Sequence, residues 1–216
     1  MYSAIIKKTR SGRELVQKEA AHKGRPREFD ADEALDKALR VFWQHGYEGA
    51  SLSDLTDAMG ISRPSLYAAF GNKEELFRRA LDRYAEKGPG ALQSEALSEP
   101  TARKVVEHLL RSVALSLTDP CNPAGCLAVQ GALTCSQAAD SIKQELCKRR
   151  SEGEQNLRRR FERAKAEGDL DPAQNPESLA RYVVTVTQGM SVQAAGGASR
   201  ADLLAVADMA LKAWPN

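Results

Sequence analysis

Apolar positions along this chain recur at three- and four-residue spacing, and no stretch shows the alternation of a strand. Ala34, Leu35, Ala38, Leu39, Phe42 and Trp43 mark a first helix, opened by Asp30 with Glu33 and ended by Gly46-Tyr47. Leu52, Leu55, Ala58 and Met59 form the apolar face of a short second helix, which Gly60 closes. Leu66 and Phe70, four apart, face inward from a third helix, and a fourth runs from near Lys73 to the breaker Gly88-Pro89-Gly90. Further on, Val105, Val106, Leu109, Leu110, Val113 and Leu117 make a longer stripe that Asp119-Pro120 ends. A shorter apolar helix is predicted from near Ala124 to about Cys135. Ile142, Leu146, Leu157 and Phe161 belong to a long charged helix ending at Gly168. Leu179, Tyr182, Val183, Val186 and Met190 mark the next, closed by Gly196-Gly197, and Leu203, Leu204, Ala207 and Leu211 mark the last. The expected fold class is all-α.

The stretch Ser51 to Phe70 carries the sharpest local signals. Ser51 and Asp54 stand as a capping box, hydroxyl to a free N–H and carboxylate back to the cap. Gly60 suits a turn that needs positive φ, and Ile61 would plug the corner. Ser62 caps the third helix, and Pro64 fits its first turn, where N–H groups lack partners anyway. Arg63, Ser65 and Tyr67 are then left to face outward, a set that suits base edges and phosphates. The same spacing would also serve a plain helical hairpin packed on a core. The flank favours DNA. Asn72 and Glu75 form a second capping box, and Lys73 sits in the first helical turn, where the dipole disfavours a cation. A phosphate at that helix N-terminus would resolve the conflict.

At this point the residues resemble a known family. GRPREFD (24–30), ALDKALRVFWQHGYEGASLSDLTDAMGIS (34–62) and RPSLYAAFGNKEELF (63–77) are similar to the DNA-binding region of TetR/AcrR-type bacterial transcriptional regulators. The resemblance covers about a quarter of the chain; the rest shares only length and helical character. It implies a homodimeric repressor with a three-helix, helix-turn-helix head and a larger helical domain for effector binding and dimerisation. It implies phosphate contacts for Tyr67 and Lys73, and places Ser62, Arg63, Pro64 and Ser65 where the recognition helix meets bases. Ser51, the cap of the second helix, is placed with this DNA-facing set. Three segments follow: a basic arm (1–23), the head with its linking helix (24–87), and the effector and dimerisation domain (88–216).

The resemblance also pairs the last two helices with their copies across a dimer axis. Ala180, Val183, Val184, Thr187, Ala194 and Ala195 are small enough for such close packing. The same residues would equally serve the core of one subunit.

Charge narrows the partner. The 216-residue chain has a formal net charge of only +2, which argues against a general nucleic-acid coat. Residues 1–27, however, hold eight basic side chains against Glu14 and Glu19. Such an arm suits phosphates or a minor groove, although a solvated tail has the same composition. Lys23, Arg25 and Arg27, beside the head, are assigned to DNA. No apolar run approaches the ~18 residues of a membrane span, and Ala4-Ile5-Ile6 is too short for a signal segment, so a cytoplasmic protein is expected.

Candidate chemistry is sparse. His22, His45 and His108 are scattered, no phosphate-cradling loop is present, and no nucleophile has an evident base, so an enzyme is not expected. The four cysteines, Cys121, Cys126, Cys135 and Cys147, lack zinc spacing and a neighbouring histidine. No metal or cofactor is expected, and Cu(I) on clustered thiols is the weaker choice. Buried cysteines serving as small hydrophobes are one alternative. The other is a sensing thiol: Cys126, expected in a helix's first turn, alone or paired with Cys121. Some TetR-type regulators resemble this Gly-Cys segment, and some respond to oxidants or electrophiles. A small-molecule effector is the broader expectation, with Leu109, Val113, Val129, Leu133 and Tyr182 as candidate lining; all five are equally good core residues. The expected function is therefore an operator-binding regulator released by a small molecule or thiol modification. The rival is a helical redox-sensing or protein-interaction module that binds no operator.

Overall fold

Local caps fix where most helices begin. In a computed structural model, which describes residues 29–88, 91–133 and 139–215, there are ten helices and no strand among the described residues. Asp30 opens α1 (Ala31–Gly49) by accepting from the Asp32 and Glu33 N–H groups at 2.8 and 3.3 Å. Capping boxes open α2 (Leu52–Met59) at Ser51 and α4 (Lys73–Lys87) at Asn72. Ser62 caps α3 (Arg63–Phe70), with Pro64 in its first turn. Gly88 ends α4, its N–H returning to the Tyr84 carbonyl.

Two expectations need correction here. Helix α1 does not stop at Gly46-Tyr47. Gly46, at φ 70°, breaks the backbone, and a last turn resumes to Gly49. The break brings the Tyr47 ring to 5.2 Å from Phe77 and 6.4 Å from Phe42, which themselves meet edge to face at 4.9 Å. On α2, Ala58 is exposed, and Thr56 is buried in its place. The Thr56 hydroxyl donates to the Leu52 and Ser53 carbonyls, which makes a threonine acceptable at an inward position.

The second half holds α5 (Ala91–Leu97), α6 (Ala102–Leu117), α7 (Leu127–Leu133), α8 (Asp140–Ala166), α9 (Pro176–Ala195) and α10 (Arg200–Lys212). Helix α5 lies where only a breaker was read. Ala96 is its one fully buried side chain, so it has no apolar stripe to announce it. Helix α7 starts three residues later than expected, and Cys135, near its expected end, lies outside the described residues.

Two apolar clusters hold the chain together. One gathers α6, α9 and α10 around Leu110, Phe161, Val183 and Trp214. The other is the head's core, Phe42, Leu55, Leu66, Phe77 and their neighbours, and it also takes in Leu127, Ile142 and Leu146 from α7 and α8. Arg83, nearly buried, clamps α4 onto α1 through Asp36 at 2.6 Å and Asp32 at 3.2 Å. Arg149 reaches from α8 to Asp82 on α4 at 2.6 Å. Ala180, Val183 and Ala194 belong to the chain's own core, while Ala195 faces solvent.

Candidate nucleic-acid interface and the cavity behind it

The turn between α2 and α3 is set by Gly60, which sits in the left-handed region at φ 69° and ψ 31°. Its N–H and that of Ile61 return to the Asp57 and Thr56 carbonyls. Asp54 is held below the ordinary carboxylate range by its hydrogen bonds to Ser51, so the cap is fully formed at neutral pH. Leu66 and Phe70 anchor α3 in the head's core, leaving Ser62, Arg63, Pro64 and Tyr67 exposed. Ser65 is only half-exposed, and its hydroxyl lies 2.9 Å from that of Ser62. Arg63 donates to Ser53 Oγ at 2.8 Å. Ser53 is a member of this surface that pattern reading missed; only the fold brings it within reach of the third helix.

Between α3 and α4, Gly71 adopts φ 76°, and a Cβ there would lie 1.6 Å from Glu75 Oε2, inside the second capping box. Lys73 in the first turn of α4 is half-buried, with its Nζ 4.7 Å from the centre of the Tyr47 ring. Burial pushes its pKa down, against the pull of Glu48 and Asp54. A partly desolvated ammonium and the free N–H groups of a helix N-terminus thus stand side by side. Lys23, Arg25 and Arg27 lie outside the described residues.

Behind the head lies a cavity of about 370 Å³. Leu109, Val113 and Val129 line it, with Leu81 and Tyr84 of α4 forming the wall toward the head. Tyr182 is not part of this lining. Its hydroxyl donates to the Ala210 carbonyl at 3.2 Å, which ties α9 to α10. The Leu133 side chain lies outside the described set.

Cys126 also lines the cavity, one residue ahead of α7 rather than inside its first turn. The Tyr84 hydroxyl donates to its Sγ at 3.2 Å. Burial, with Cys126 alongside, raises Tyr84 well above the ordinary phenol value, so it keeps its proton to donate. Cys121 is an exposed free thiol whose backbone N–H donates to Asp119, and Cys126 is free as well. Among the described residues, no group of three or more His, Cys, Asp or Glu side chains is placed to hold a metal ion.

A buried hydrogen bond also joins the head to the segment beside the cavity. Trp43 Nε1 of α1 donates to the Gly125 carbonyl at 2.9 Å, a buried bond between residues 82 apart in sequence. The Trp43 ring stands edge to face on Tyr84 at 4.9 Å. Cys126, the next residue, packs against both apolar clusters.

A helix-turn-helix on a compact helical head, joined through a buried contact to a helical body with a cavity, is the architecture of a DNA-binding regulator. Comparison with known proteins agrees. The family model for bacterial regulatory proteins, tetR family, matches residues 34–80. The chain is 37% identical over 195 residues to the HTH-type transcriptional repressor ComR of Escherichia coli (strain K12), covering 90% of this chain and 93% of that protein. It is 28% identical to the repressor BdcR of the same organism, over 91% of this chain and 94% of that one. Among solved structures, a cysteine mutant of the TetR family transcriptional regulator CifR, complexed with 26bp double-strand operator DNA, superposes with a TM-score of 0.85. It shares 46% identity and covers 88% of this chain and 100% of its own. The chain belongs to the TetR family of transcriptional regulators.

The Trp43 contact is testable. Trp43→Phe keeps an aromatic ring near Tyr84 but leaves the buried Gly125 carbonyl without its donor. The substitution should lower stability by about 1–3 kcal/mol, read as a shifted urea midpoint. An unchanged midpoint would show that the bond contributes nothing to holding head and body together.

Proposed function

We propose that this chain is a homodimeric repressor that holds an operator through α3 and leaves it when its cavity is filled or Cys126 is modified. The observation that carries the reading is the surface of the head. Ser62, Arg63, Pro64 and Tyr67 stand exposed on one short helix, with half-buried Lys73 in the neighbouring first turn of α4. In this reading Arg63, Ser62, Pro64 and Ser65 meet base edges, Tyr67 and Lys73 hold phosphates, and Ser51 belongs to the same face. The arm carrying Lys23, Arg25 and Arg27 adds sequence-independent attraction. The setting is the cytoplasm, where the operator is found; among the described residues no helix is long and apolar enough to cross a membrane.

Base contacts and phosphate contacts separate by experiment. Against a duplex selected in vitro by the protein, Lys73→Ala should weaken binding on every sequence and lower the salt slope by about 1. Arg63→Ala should change which bases are preferred, at about 1–3 kcal/mol for the affected position. Lys73→Ala with affinity and slope both intact would remove the phosphate assignment. Salt-insensitive or absent duplex binding by the wild-type chain would overturn the repressor reading altogether.

Dimerisation through the last two helices is supported by an apolar face that the single chain leaves open. Val192 of α9 and Val206 and Met209 of α10 are 50%, 42% and 63% exposed. Two such faces would bring two heads onto successive major grooves, so that effector-driven changes in their spacing become changes in affinity. Met209→Glu should shift sedimentation from dimer to monomer at micromolar concentration. A dimer that persists would place the interface elsewhere.

Release requires an effector or modification that favours a DNA-incompetent arrangement, and about 1–3 kcal/mol of coupling suffices for a 5- to 150-fold loss of affinity. Cys126 suits that role because it lies on the cavity wall, accepts from Tyr84 and follows the residue that binds Trp43. Oxidation of the wild type should release DNA, and Cys126→Ser should stay bound. Equal release from both proteins would exclude this thiol as the sensor and leave the cavity as the route.

A further inference from the structure

The cavity also specifies what it takes. Building on the effector-cavity reading above, we infer that its ligand is a small, uncharged, mainly apolar molecule bearing one hydrogen-bond acceptor, seated on the hydroxyl of Ser191.

The apolar walls come from both clusters. Leu109, Leu117 and Leu157 belong to the body's core and Leu81 and Tyr84 to the head's, and Val129 of α7 completes the apolar lining. A ligand in this space would lie on the seam between the two cores. At about 370 Å³ the cavity is near the lower end of small-molecule sites, enough for one or two fused rings.

Gln93, Ser116, Asn156, Thr187 and Gln188 also line the wall, but Ser191 is the buried one whose polar atom is left without a partner among the described residues. It lines the cavity, is only 1% exposed, and its Oγ has no hydrogen-bond partner among the described residues. A hydroxyl inside a helix ordinarily gives its proton to a carbonyl one turn back. On the same helix Thr185 does so to Arg181 at 2.7 Å and Thr187 to Val184 at 3.0 Å. Ser191 therefore stands as a buried donor with its proton unspent, a rare condition in a folded chain. A ligand oxygen or ring nitrogen would satisfy it.

The rim commits most of its charge to itself. Arg149 is bound by Asp82 at 2.6 Å and Glu145 at 2.7 Å. Glu154 is bound by Arg181 at 3.0 Å. Arg150 is turned to Cys147 Sγ at 3.3 Å, on the outer face. A carboxylate or ammonium carried inward to Ser191 would lose its water, and of the rim charges only Arg150, on Cys147, and Glu152, 3.9 Å from Lys148, stand without a close opposite charge.

The test uses the full-length reduced protein and two fluorophores of similar size, the neutral ketone Prodan and the anionic anilinonaphthalene sulfonate. Prodan should bind one per chain with blue-shifted emission, more tightly than the sulfonate. Ser191→Ala should weaken Prodan about tenfold, the equivalent of one buried hydrogen bond. Val113→Phe, which fills the cavity, should abolish binding. Prodan affinity unchanged in Ser191→Ala but lost in Val113→Phe would overturn the anchor and leave the cavity reading standing. Tighter binding of the sulfonate would overturn the uncharged class. Failure of both probes to bind, or binding untouched by Val113→Phe, would overturn the cavity reading itself. Ser191→Ala removes only a hydroxyl and installs a better helix former, so it decides the anchor even if the bulkier variant does not fold.

Discussion

The bond from the Trp43 indole to the Gly125 carbonyl is the constraint on which the arrangement of head and body depends. A buried carbonyl and a buried indole N–H each need a partner, and here each has the other. The ring that donates also packs edge to face on Tyr84, whose hydroxyl in turn donates to Cys126. Two successive residues of one loop are thus held by α1 and α4 together. Any displacement of that loop must break a buried bond, tilt an aromatic pair, or carry the head with it. Close-packed interiors have no slack to absorb the movement otherwise.

The division of the apolar core gives this junction its leverage. Helix α7 and the start of α8 contribute Leu127, Ile142 and Leu146 to the head's cluster, while the rest of α8 contributes Leu157 and Phe161 to the body's. One long helix therefore spans both clusters, and the cavity opens between them. A molecule that fits the cavity in only one relative position of the clusters biases that position by its differential affinity and by nothing else. The Asp82–Arg149 pair crosses the same seam and would feel the same shift.

What could be read from sequence was what is local. The capping boxes at Ser51–Asp54 and Asn72–Glu75, the left-handed turn at Gly60 and the stop at Gly88 each involve residues within four positions, and each stands where their chemistry placed it. The inward pair Leu66 and Phe70 follows from helical spacing alone. What escaped reading was non-local or weakly patterned. The Trp43–Gly125 bond joins residues 82 apart, and the Arg63–Ser53 contact exists only once two helices cross. Helix α5 buries one alanine and so carries no stripe. Tyr182 has the apolar body of a cavity residue, but a carbonyl on α10 claims its hydroxyl, a choice that spacing does not encode. Thr56 took an inward place assigned to Ala58 because its hydroxyl could be satisfied by its own helix.

Helix α9 joins the two halves of the proposed mechanism. Ser191 points into the cavity and is buried, while Val192, the next residue, is half-exposed on the face assigned to the partner subunit. Consecutive helical residues lie about 100° apart, so one turn of helix would present both the proposed ligand anchor and the proposed interface. A rotation of α9 that improved a ligand's hydrogen bond at Ser191 would also move Val192, and in the proposed two-fold dimer the partner helix would move with it. In the proposed dimer each head would be joined to this arrangement through α4 and the Trp43 junction. Small adjustments at the cavity would therefore reach DNA by two routes at once, through the contact of each body with its own head and through the packing of the two bodies. The first route is intact in a monomer and the second is not.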